Sequence, residues 1–133
     1  MNSARTFLIL ILVVFAGLAS WYAAITPYRS AGILLFQRGS AAADFGAPDE
    51  RQHVNYVAHL RSGQGLPVFN PKDPNLYESY QSHQPPLFYV LAAPFYGEDG
   101  RPIRYLNVLI GVATLIGLYR LGRAATGKEE IGL

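Results

Sequence analysis

Cysteine is absent from the 133 residues, so neither a disulfide framework nor a thiolate metal site can be built from this chain. Charge is scarce as well: 15% of residues are charged, and a net charge of +2 is carried by basic residues that mostly stand singly. There is no stripe of Lys and Arg interleaved with aromatics, which argues against a nucleic-acid partner. Also missing are a glycine-rich phosphate loop, a His-Glu-x-x-His pair, a nucleophile elbow and any internal repeat.

What the chain has in quantity is apolar sequence, gathered into blocks. Residues 6–25 (TFLILILVVFAGLASWYAAI) carry no charge and suffice to cross roughly 30 Å of hydrocarbon. Residues 105–119 (YLNVLIGVATLIGLY) form a second uncharged run, short for a span but extended by flanking arginines that can snorkel. Residues 87–96 (LFYVLAAPFY) are a third, too short alone unless the helix starts upstream or the bilayer thins. The pattern predicts an all-α integral membrane protein with a partly helical first external loop. A first transmembrane helix covers 1–25, the external loop 26–84, a hairpin of second and third membrane helices 85–122, and the start of a further connection 123–133. Arg5 and the terminal amine place the N-terminus in the cytoplasm, with the loop outside. Residues 1–18 also have the make-up of a signal peptide. Trp21 and Tyr22 continue the run as an interfacial anchor would, which favours a retained helix. If 86–96 spans, the basic stretch RLGRAATGK at 120–128 falls outside, against the charge bias; if 86–96 is re-entrant, the stretch falls inside.

In the external loop, residues 31–36 (AGILLF) are expected along the interface and 40–48 (SAAADFGAP) as a connector. A helix is predicted over about 49–62, with Asp49 as N-cap, Gln52 completing a capping box and Gly63 closing the end. Residues 65–81, with prolines at 67, 71 and 74, read as an irregular segment whose tyrosines and Phe69 argue against plain disorder. Pro85 and Pro86 then end the loop and open a helix, leaving His83 and Gln84 at its rim.

Helical spacing puts Asp49, His53, Tyr56 and Leu60 in one stripe, with Glu50, His53 and Val57 beside it. A carboxylate, an imidazole and a phenol on one face can do acid–base work. The same residues have a plainer reading, in which Asp49 caps, Glu50 favours the helix dipole, and His53 and Tyr56 pack. Glu50 and His53 form a Glu-x-x-His, but the second pair and further glutamates of a di-iron site are missing. A single divalent metal on Asp49, Glu50 or His53 would have too few ligands to define a site.

The order of these pieces resembles the N-terminal part of the GT-C membrane glycosyltransferases. The chain is most similar to bacterial relatives of the protein O-mannosyltransferases and of the lipid A aminoarabinose transferases. The resemblance is carried by APDERQHVNYVAHLRSGQGLPV at 47–68, YESYQSHQPPLFYVLAAPFY at 77–96 and RYLNVLIGVATLIGLYRLGR at 104–123. It implies inverting transfer of a sugar from a polyprenyl-phosphate donor to an acceptor, at the outer face of a bacterial inner membrane. Asp49 would be the general base and Glu50 would hold Asp49 or the acceptor. His53, Tyr56, His83 and Gln84, with Pro85 and Pro86, would line the substrate cavity. A phosphate leaves without being protonated, so one base is enough. Members of this group have many more membrane helices, so the resemblance also implies that these residues are the N-terminal portion of a longer enzyme, inactive by themselves. Two other readings stand beside it. One is a small non-enzymatic membrane protein whose tyrosines, Tyr77, Tyr80 and Tyr89, contact a protein partner. The other is a secreted domain after signal cleavage.

Overall fold

The computed structural model describes residues 3–26, 28, 49–74 and 76–127, with the side chains of 77 and 78 left aside. The interfacial piece expected at 31–36 and the connector at 40–48 lie outside the described residues. Those described form helices and turns only: α1 (Ser3–Ile25), α2 (Glu50–Arg61), α3 (Leu76–Ser79), α4 (Leu87–Ala92) and α5 (Arg101–Thr126). The chain divides into two compact units, Met1–Ile25 with Arg104–Leu133, and Thr26–Ile103.

In the first unit, α1 and α5 are the two helices long and apolar enough to cross a membrane. They run antiparallel. Arg104 Nη1 donates to the Ala23 carbonyl at 3.1 Å, so an arginine near the start of α5 satisfies a carbonyl in the last turn of α1. Further along, the Phe15 ring lies where a side chain on Gly111 would be: a Cβ there would come within 2.5 Å of Phe15 Cζ. Almost none of either helix is buried by the other, so their apolar surface faces outward.

The second unit is organised by α2. Its inward face buries Val54, Tyr56 and Val57, and α3 and α4 pack against it. The N-terminus departs from the capping box. Asp49 has φ −114° and ψ 1°, outside the extended conformation of a usual N-cap, and its side chain makes no cap bond. Its backbone carbonyl takes the N–H of Gln52 at 3.0 Å and of His53 at 3.2 Å instead. The Gln52 side chain turns inward and accepts from Gln81 Nε2 at 3.3 Å, both glutamines being buried. Gly63, with φ +78°, closes α2 as the sequence suggests.

Residues 65–81 are less irregular than expected. Asn70-Pro71-Lys72-Asp73 is a β-turn, with Asp73 N bonded to the Asn70 carbonyl at 3.1 Å. Asp73 then receives the Leu76 N–H at 3.0 Å and the Ser79 hydroxyl at 2.7 Å, which anchors α3. A 3₁₀ turn, Tyr80–His83, follows. Gln84 is extended (φ −75°, ψ 150°), as a residue before proline must be, and the Pro86 carbonyl accepts the first bond of α4 from Val90 at 3.0 Å.

The middle membrane helix expected within 85–122 does not form. α4 has six residues and gives way to a three-residue 3₁₀ turn, Ala93–Phe95. Pro94 has no N–H to continue the ladder. At about 1.5–2 Å per residue these nine residues reach roughly half of a hydrocarbon core. They pack on α2 within the second unit.

Gly100 ends the turn before α5 with φ +67°, and a Cβ there would sit 3.2 Å from Val54 and 3.3 Å from Tyr28. Gly100→Ala is expected to cost about 1–2 kcal/mol of backbone strain, together with displacement of those side chains. The measurement is thermal unfolding in detergent, with Gly127→Ala as reference. Gly127 has a similar φ of +68° and no neighbour within 4 Å, so its substitution should lower the midpoint less.

Candidate functional site

Asp49, His53 and Tyr89 form a hydrogen-bonded chain at the N-terminal end of α2. His53 Nδ1 lies 2.7 Å from the Tyr89 hydroxyl, and His53 Nε2 lies 3.3 Å from Asp49 Oδ2. Helical spacing brings Asp49 and His53 together; the packing of α4 brings Tyr89, 36 residues away from His53 in sequence. A carboxylate can only accept, so the proton of a neutral His53 sits on Nε2. Nδ1 then offers a lone pair, and the Tyr89 O–H donates to it.

Tyr56 holds the phenol from the other side. The rings of Tyr56 and Tyr89 stack with centroids 3.8 Å apart and planes 4° from parallel. Tyr89 is 3% exposed. Burial above all, then the neighbouring Tyr56 and Asp49, raises its pKa above the usual phenol value. Tyr89 therefore stays protonated and serves as a donor. Asp49, at the other end of the chain, keeps 56% of its side chain exposed and presents a carboxylate to solvent. Glu50 is half-buried in the first turn of α2.

His83 and Gln84 form a separate cluster. His83 Nδ1 donates to the Tyr80 carbonyl at 2.6 Å, and Gln84 Nε2 donates to His83 Nε2 at 3.1 Å. The Phe69 and Tyr80 rings meet His83 edge-on at 5.7 and 5.0 Å. Among the described residues no hydrogen bond joins this cluster to Asp49. A cleft of about 270 Å³ lies on the second unit, where Gln52, Asn55, Tyr56 and His59 of α2 face Asp73 and Ser79. Of the residues expected around one cavity, only Tyr56 lines this cleft. Pro85 and Pro86 shape the entrance of α4, as their chemistry requires, and carry no polar group toward Asp49. Among the described residues no three His, Asp or Glu side chains gather closely enough to hold a metal ion.

Compared with protein-family models, curated proteins and solved structures, the chain matches none. The reading of the site therefore rests on its own geometry.

Sequence reasoning missed Tyr89 as a site residue and counted it among surface tyrosines, which its burial corrects. The available signal was its position three residues after Pro86, on the side of α4 that also carries Ala92.

Tyr89→Phe should remove the donor to His53 and cost about 1 kcal/mol of stability. Nitrogen NMR of the histidine rings gives a sharper test. His53 should carry its proton on Nε2 and His83 on Nδ1, and only the His53 pattern should change in Tyr89→Phe. The raised phenol pKa also sets a sign. The folded state holds the Tyr89 proton more tightly than the unfolded state, so this contribution is intact below about pH 10 and is lost as pH rises toward the folded value. Alkaline unfolding of Tyr89→Phe should lose that part of its pH dependence.

Proposed function

We propose that the chain is the membrane-anchored, base-bearing part of a glycosyltransferase that uses a polyprenyl-phosphate-linked sugar. α1 and α5 cross the bilayer, and the second unit stands on the outer side of a bacterial inner membrane. The apolar, largely unburied surfaces of the two helices support this placement. With two spans, Arg5 at the start of α1 and Arg120 and Arg123 at the end of α5 share the cytoplasmic side. This removes the conflict with the charge bias that a third span would create.

The observation that carries the chemical reading is the orientation of Asp49. It is an exposed carboxylate whose Oδ2 is engaged by His53, which is fixed in turn by a buried phenol. Such a group can take the proton of an acceptor as that acceptor attacks the anomeric carbon. The carbon–oxygen bond to the polyprenyl phosphate breaks, the phosphate leaves as an anion, and the configuration inverts. No general acid is required.

Asp49→Asn keeps the shape and removes the basicity. In membranes containing the natural protein and a radiolabelled polyprenyl-phosphate hexose, transfer should fall about 10²–10⁴-fold, the usual worth of a positioned base. Membrane insertion, followed by fractionation, should be unchanged. Transfer at the parental rate would remove Asp49 from that role.

A further inference from the structure

α4 has two unlike faces. Tyr89 and Ala92 are buried against α2. Leu87, Val90 and Leu91, three and four residues apart, are 70%, 52% and 55% exposed, and Phe95 in the following turn is 45% exposed. No Asp, Glu, Lys or Arg occurs between His83 and Glu98. A continuous apolar stripe of this kind marks a contact surface.

The path of the chain indicates what covers it. Five residues, 96–100, separate Phe95 from the start of α5 at Arg101. Fully extended, the six steps from Phe95 to Arg101 would reach no more than about 22 Å, and the bond from Gly100 N to the Gly97 carbonyl at 3.1 Å folds them into a turn. The end of α4 is thus tethered by a short turn to the first residues of α5, one of the two helices long and apolar enough to cross a membrane. We propose that Leu87, Val90, Leu91 and Phe95 rest in the bilayer surface, so that α4 lies at the boundary of headgroups and acyl chains without crossing. This rests on the reading that α1 and α5 are membrane spans. α4 itself has no Lys or Arg, so apolar burial rather than attraction to anionic headgroups holds it there.

The chain has no cysteine, which allows single labelling sites. Val90→Cys, Leu91→Cys, Glu98→Cys and Ala113→Cys would each carry a nitroxide in the full chain, reconstituted in phosphatidylcholine vesicles. Accessibility to oxygen and to a water-soluble nickel chelate would then be read by power saturation. Labels at 90 and 91 should favour oxygen several-fold more than the label at 98. They should lie about 5–10 Å below the headgroups, shallower than the label at 113, and be unaffected by adding one-third anionic lipid. Nickel access at 90 and 91 equal to that at 98, with 113 in lipid, overturns the proposal and leaves the spans standing. Poor access to both reagents overturns it in favour of a protein cover, either a second copy or another chain. A depth equal to that of 113 overturns it in favour of crossing. An aqueous label at 113 overturns the spans and this proposal together.

Discussion

A buried phenol needs a partner for its hydroxyl, and the arrangement of the second unit follows from how Tyr89 finds one. α4 has six residues, too few to persist as a helix without tertiary support. It is held because Tyr89 and Ala92 are buried on α2, where the Tyr89 ring lies flat on Tyr56 and its O–H reaches His53 at 2.7 Å. That bond turns the imidazole so that Nε2 points at Asp49. Packing, tautomer and carboxylate orientation are thus one connected requirement. Loss of the stack would loosen α4, and loss of the hydroxyl would free the imidazole and with it the carboxylate.

How much of this could be read in the sequence varied with the range of the interaction. α1 and α5 were legible as helices because each carries a long uncharged apolar run, although α5 starts four residues before the run at 105–119 and ends seven after it. The end of α2 was legible because Gly63 tolerates a positive φ. Its beginning was legible in place and not in detail. Asp49 has the side chain of a cap, yet the imidazole one turn later takes its carboxylate, and no local rule ranks those two partners. Gln52 was assigned to a capping box for the same local reason, while its partner, Gln81, lies 29 residues on.

The middle apolar run shows a different kind of miss. Residues 87–96 look like one hydrophobic block, and Tyr89 within it looks like any other apolar position. Pro94 was the local warning that the helix could not continue. The site residue itself was hidden because a tyrosine's role depends on where its hydroxyl ends up. Here that is decided by α2.

The direction of the hydrogen-bonded chain limits what it can do. With Tyr89 protonated and donating to Nδ1, and with Nε2–H donating to Asp49, neutral His53 has no lone pair left to receive a further proton. The chain orients the carboxylate and does not conduct protons inward. A proton taken up by Asp49 in the proposed reaction must therefore leave by the outer side, which accords with the 56% exposure of that side chain. A buried base would need a relay to return to its ionised form; a base at the surface returns through water. In this view the buried tyrosine and the exposed aspartate are complementary: one end of the chain is kept dry so that it stays fixed, and the other is kept wet so that it can turn over.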